Sequence, residues 1–214
     1  MKVIDLTHTI EPGMPVYPGT EPPQFLPANS YEKDGFRETK LQMYTHTGTH
    51  MDPPAHLYAD RPTLDAFPPE QFIGKALVID CTDATPKSGI PLSAILRYGE
   101  KAEQADFLLF SLGWDNLWGT EAYFGDYPCL TDEALCYIMD GQYKGIGFDV
   151  IGLDPIADAK LTRHNKLFAH NDIVNIENLK NLSLCGEDLF WFSCFPLKLA
   201  HCDGSPIRAV AWFE

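Results

Sequence analysis

The run Ala76-Leu77-Val78-Ile79-Asp80-Cys81 decides how this chain is read. Apart from Asp80 it is apolar throughout, without the alternation of a half-solvated strand. That pattern predicts a strand covered on both faces. Phe107–Ser111 (Phe-Leu-Leu-Phe-Ser) has the same character. Outward from these two, Lys2–Leu6, Arg37–Tyr44, Gly145–Val150, Ile173–Ile176, Leu189–Phe195 and Ile207–Phe213 read as further strands, with Leu41 and Met43 on one face of theirs. Helical spacing is confined to Pro91–Tyr98 and Thr131–Met139. In the second, Thr131 ahead of Ala134 and Leu135 reads as a capped start to an apolar stripe. Pro12-Gly13, Pro18-Gly19, Pro22-Pro23, Pro53-Pro54 and Pro68-Pro69 exclude long helices from the first third. The expectation is a mixed α/β, strand-dominated single domain over residues 1–214, with a few short helices.

Composition narrows the partners. Hydrophobic residues are 45% of the chain, enough for a sizeable core, so disorder is excluded. Thirty acidic residues against 16 basic ones give a net charge of −14, which repels phosphate backbones and anionic lipid. Neither nucleic acid nor a membrane is therefore expected as a partner. No run approaches the roughly 20 apolar residues of a membrane span. Asp5 and His8 interrupt any signal-peptide core in the opening residues, so a cytoplasmic location is expected. Cys81, Cys129, Cys136, Cys185, Cys194 and Cys202 form no C-x-x-C pair and read as small hydrophobes rather than a disulfide framework or a thiolate zinc site.

Chemistry concentrates between residues 46 and 56: His46-Thr47-Gly48-Thr49-His50-Met51-Asp52-Pro53-Pro54-Ala55-His56. Imidazoles and a carboxylate at this density are the donor set of zinc, manganese or ferrous iron. Thr45, Thr47 and Thr49, which are β-branched, with Gly48 and two prolines disfavour a helix, and Thr47 stands where a helical H-E-x-x-H motif needs glutamate. The expected geometry is a strand end running into a tight loop, in which Gly48 lets His46, His50 and Asp52 converge while Pro53-Pro54 fixes His56. No G-x-S-x-G elbow, phosphate loop or dinucleotide fingerprint occurs, and His201-Cys202 are chain neighbours that point apart in a strand.

This stretch resembles the H-G-T-H-x-D-x-P-x-H signature of the metal-dependent cyclase-like hydrolases, a family that includes bacterial kynurenine formamidases and isatin hydrolases. Ile4–Ile10 with Met14–Gly19, the segment Leu112–Tyr127, Gly147-Phe148-Asp149, Glu177-Asn178-Leu179 and Asp203–Arg208 are similar to its other blocks. The resemblance runs nearly end to end. It implies a layered β/β/α fold of the swivelling type, in which a barrel-like, strand-rich core carries helices on one side. It implies that His46, His50 and Asp52 hold a first metal, that Asp52 reaches a second where one is bound, and that His56 is the catalytic histidine. Glu177 matches a carboxylate near both metals. The remaining ligand is a histidine upstream of it: His164 is the first choice, one residue further from Glu177 than the usual spacing, and His170 the second. The resemblance also implies one or two divalent ions per subunit, zinc or manganese, and a homodimer or homotetramer with its pocket near the interface.

The residue chemistry points the same way. A divalent ion on two histidines and an aspartate keeps positions open for water, acidifies that water and polarises a carbonyl. Breaking an amide then needs a proton on the leaving nitrogen, a task suited to His56. The expected activity is hydrolysis of a carbon–nitrogen bond in a small amide, formamide or lactam. A ring-closing cyclase or dehydratase, and a metal- or ligand-binding protein that has lost the chemistry, are the alternatives. Tyr17, held between Pro15 and Pro18, is the candidate substrate-binding residue; kynurenine formamidases carry tryptophan at the corresponding place. Trp114 and Trp118 either line the pocket or pack beneath it. Asp149 and Asp154 either cap backbone or support a ligand histidine, and His8 and His201 read as structural.

Overall fold

The computed structural model describes residues 1–169 and 172–213. The strands are β1 (Lys2–Asp5), β2 (Gln24–Asn29), β3 (Glu38–Gln42), β4 (His50–Asp52), β5 (Ile73–Asp80), β6 (Phe107–Ser111), β7 (Gly145–Phe148), β8 (Val174–Glu177), β9 (Phe190–Ser193), β10 (Ser205–Pro206) and β11 (Val210–Phe213). The helices are short: α1 (Tyr31–Asp34), α2 (Leu92–Leu96), α3 (Glu100–Gln104), α4 (Asp132–Asp140) and α5 (Thr162–Phe168). Nine strands form one sheet in the order β1-β11-β9-β5-β6-β7-β8-β4-β10. The central four, β5 to β8, are parallel, and antiparallel strands flank them on both sides.

The sheet curls into a half-barrel. Thr7, just past the edge strand β1, bridges to Leu179, just past β8, and Lys180 donates its backbone N–H to the Leu6 carbonyl. Those strands lie far apart in the sheet order, so only a curled sheet brings their ends together. The central strands are buried on both faces, as their apolar runs predict. Ala76, Val78, Phe107, Leu109, Val174, Ile176 and Phe192 fill the inside of the curl. Leu77, Ile79, Leu108, Phe110 and Ile146 face the helical layer, where Ile95, Leu135, Ile138 and Leu167 cover them. This is the layered arrangement expected, a curled sheet with helices on one side. The capped start of α4 is formed as read: the Thr131 hydroxyl accepts the Ala134 N–H.

Two expectations change. Arg37–Tyr44 does contain a strand, β3, but it pairs only with β2 in a separate two-stranded ribbon and all its residues are exposed, so Leu41 covers nothing in this chain. Near the histidines the order is also reversed. The tight loop comes first, and His50-Met51-Asp52 leave it as a fully buried strand. The sequence hid β4 because three residues are too few to show a period.

Candidate metal centre and active site

Strand β4 lies antiparallel to β8 with His50 opposite Glu177, Met51 opposite Ile176 and Asp52 opposite Asn175. Side chains alternate across a strand. Met51 and Ile176 therefore enter the apolar core inside the curl, while His50, Asp52, Asn175 and Glu177 share the opposite face, towards α5. Gly48 makes the approach possible. Its φ is +64°, and the side chains of Met14 and Ile10 lie where a Cβ would stand. The turn carries His46 back over the strand, placing its Nδ1 2.7 Å from Asp52 Oδ1. His164 enters from α5, with Nε2 3.2 Å from Glu177 Oε1 and 3.6 Å from Asp52 Oδ2.

Asp52 sits at the middle. Its Oδ1 faces His46 and His50 Nε2 (3.2 Å), and its Oδ2 faces His164 and the Asn175 amide (3.0 Å). Glu177 likewise spans the cluster, with Oε2 3.5 Å from His50 Nε2 and Oε1 accepting from the Leu153 N–H and Asn175. Three donor groups result among the described residues: His46–His50–Asp52 and Asp52–His164–Glu177, joined through Asp52 and mostly buried, and a more exposed one, His46–His56–Asp203, on the outer side of His46.

The outward nitrogens are equally informative. His50 Nδ1 donates to the Gly48 carbonyl at 2.8 Å. His164 Nδ1 donates to Asp154 Oδ2 at 2.8 Å. His46 Nε2 faces Asp203 Oδ2 at 3.2 Å. Each imidazole thus anchors one nitrogen behind it and turns the other inward, the support pattern of metal-ligating histidines. A divalent cation fits this set, because two buried carboxylates and three inward nitrogens otherwise have only protons to neutralise them. The shifts in the structure show that competition. Burial alone would lower His46, but Asp52 and Asp203 push it up to about 10. Burial alone would raise Asp52, but His50 and His46 hold it well below the usual carboxylate range.

His56 is held differently. It ends the 3-10 turn Pro54–His56, and its ring centroid lies 4.1 Å from that of His46. Its Nδ1 is buried without a hydrogen-bond partner among the described residues, and the nearest carboxylate, Asp203, is 3.8 Å away. Burial lowers its pKa below the usual imidazole value. The structure therefore brings His46, His50, Asp52, His164, Glu177 and His56 to one place. His170 lies outside the described residues. Tyr17 is exposed, and partial burial with the Glu177 charge raises its pKa.

The remaining residues sort themselves. Asp149 caps backbone, accepting from the N–H groups of Leu112, Gly113 and Trp114. Asp154 supports His164 and also accepts both the Arg163 and His164 N–H groups at the start of α5. Trp118 packs flat on His8, with centroids 3.8 Å apart. His201 is exposed, and its N–H donates to Asp65. Sequence reasoning missed Asn175 and Asp203. Asn175 had a signal, since it lies two residues before Glu177 in a strand and so shares its face. Asp203 had none beyond its place in the closing block, 157 residues from His46.

With this geometry in view, the chain was compared with known proteins. The Cyclase family model, described as "Putative cyclase", matches residues 4–155. A kynurenine formamidase of Salinibacter ruber is 28% identical over 213 residues, covering 98% of this chain and 97% of that protein. A protein of Bacillus stearothermophilus named as a "predicted metal-dependent hydrolase" superposes with a TM-score of 0.75 at 27% identity, covering 98% of this chain and 97% of the other. Isatin hydrolase A from Labrenzia aggregata shares the fold with a TM-score of 0.87 at 24% identity, covering 98% and 93%.

Proposed function

This chain belongs to the Cyclase family, and from that premise we propose that it is a metal-dependent hydrolase cleaving a carbon–nitrogen bond of a small amide, formamide or lactam. One observation carries the reading: two buried carboxylates, Asp52 and Glu177, ringed by three imidazoles that each anchor their outer nitrogen and turn the other inward. The relatives support it, one being named a kynurenine formamidase and another a "predicted metal-dependent hydrolase".

His46, His50 and Asp52 would hold one divalent ion, zinc or manganese, and Asp52, His164 and Glu177 a second. Bound there, the metal would supply Lewis acidity and acidify water. The chain's own residues do the rest. Asp154 and the Gly48 carbonyl fix the ring orientations of His164 and His50. Asn175 donates to both carboxylates and keeps them from parting. His56, whose Nδ1 has no hydrogen-bond partner among the described residues, takes a proton from the attacking water and returns it to the leaving nitrogen, which an amide requires before it departs. Tyr17 would form a wall of the substrate pocket.

Elemental analysis of the purified protein, with assays of formyl-anilides, isatin and cyclic amides before and after chelation, tests this. Wild-type protein is expected to hold one or two divalent ions and to lose turnover on chelation. His50→Ala is expected to lose metal and activity together. His56→Ala is expected to keep its metal while turnover falls by about 10²- to 10⁴-fold, the usual size of an acid–base contribution. Full turnover in chelated enzyme, or in a metal-loaded His56→Ala variant, contradicts the mechanism.

The β2–β3 ribbon extends the proposal to assembly. Phe25, Leu26 and Leu41 are exposed on it, and a lone two-stranded ribbon is marginal in water. A second copy of the chain, giving a homodimer or homotetramer, would cover it.

A further inference from the structure

Asp203 lies in the loop leading into β10, far from β4 in sequence, yet both of its oxygens are engaged at the metal loop. The Thr45 hydroxyl donates to Oδ1 at 2.9 Å, and His46 Nε2 faces Oδ2 at 3.2 Å. The carboxylate is about half exposed, so burial does not hold it in place. The next residue makes a second, independent contact with the same ring. A Cβ on Gly204 would stand 2.6 to 3.0 Å from three atoms of the His46 imidazole, so the ring lies directly against that backbone. His46 is therefore gripped twice by one dipeptide, at its edge by Asp203 and across its side by Gly204. Its partner nitrogen, Nδ1, is thereby aimed at Asp52.

We infer that Asp203 is a positioning residue. It orients the His46 ring and holds a proton on Nε2, so that Nδ1 presents its lone pair to the cation site shared with His50 and Asp52. The geometry is that of a carboxylate behind a ligand histidine, as Asp154 stands behind His164. The inference rests on the metal-site reading above, since a ligand has to be positioned for something. It adds that the C-terminal loop sets how tightly the first site binds.

Zinc affinity measured by competition with a chromophoric chelator tests this, alongside thermal melts of the metal-free proteins. For Asp203→Ala, the zinc equivalent held with His46 is expected to weaken by about 10- to 100-fold, the range for loss of such a support, while the metal-free protein still melts cooperatively from a folded state. Asp203→Asn keeps an acceptor without the charge and is expected to fall between the two. Gly204→Ala displaces the ring and is expected to weaken the same equivalent. Thr45→Val, which removes only the loop's own tie to Asp203, is expected to bind zinc close to wild type. Unchanged affinity in Asp203→Ala overturns the inference alone, as does an equal loss in Thr45→Val, which would make loop docking the cause. A wild-type protein that takes up no zinc or manganese overturns the metal-site reading and this inference with it.

Discussion

At the scale of single residues, the site shows how little a polar side chain's function depends on its own identity. Seven histidines are present, and their environments separate them. His46, His50 and His164 are fixed by an acceptor behind each ring, while among the described residues His56 Nδ1 has no partner and His8, sealed against Trp118, has Nε2 buried without one. His8 yields a pH prediction. Burial pulls its pKa down to about 4, with Lys180 adding to the effect. A depressed base stabilises the fold only while neutral, so its contribution is complete above pH 6.5 and is lost as pH falls towards 4. At about 1.4 kcal/mol per unit, the loss reaches roughly 3 kcal/mol. Between pH 6.5 and 4, denaturant titrations of His8→Gln should show a shallower fall in unfolding free energy than wild type. Parallel curves would show that His8 does not titrate in this way.

At the scale of elements, the site depends on two short pieces of chain whose backbones are tightly specified. The first is the loop into β4. Gly48 at φ +64° carries the turn, and an alanine there would cost about 1–2 kcal/mol for the left-handed backbone. The Met14 methyl that a Cβ would meet is the end of a flexible side chain and can shift. Gly48→Ala is therefore expected to fold, with a lower melting temperature and weaker zinc binding in chelator competition, because His46 and His50 flank the strained residue. The second piece is α5, which presents His164 only because Asp154 satisfies the N–H groups at its start. Helix α4 lies in the layer beside it and offers a control. Removing its cap in Thr131→Ala is expected to cost about 1 kcal/mol in a denaturant melt and to leave zinc affinity unchanged. A change in zinc affinity there would mean that the layer, and not only α5, sets the site.

At the scale of the whole molecule, the half-barrel is closed by few links, and the cluster sits where β4, β8 and α5 meet. A cation bound between them ties three separate stretches of chain together. Chelation is therefore expected to lower the unfolding midpoint. At a free metal concentration 100 times Kd, the difference is about 2.7 kcal/mol, read by calorimetry with and without chelator. The β2–β3 ribbon carries a second prediction at this scale: Leu41→Asp is expected to shift sedimentation from dimer or tetramer towards monomer, and no change would place the contact elsewhere. Among the described residues no helix is long and apolar enough to cross a membrane. Much of this was legible beforehand. The apolar runs at Ala76 and Phe107 announce buried central strands, because a strand covered on both faces has no polar side to alternate with. The spacing from His46 to His56 marks the cluster, because a turn can fold ligands together over a short length of chain. The sequence did not reveal Asn175 and Asp203 as members, the three-residue strand β4, the solvent-facing ribbon, or which nitrogen of each histidine turns inward. Asn175 meets Asp52, and Asp203 meets His46, across more than a hundred residues, and even the nearer anchors, Asp154 behind His164 and the Gly48 carbonyl behind His50, follow from how the backbone folds there, which local pattern does not record.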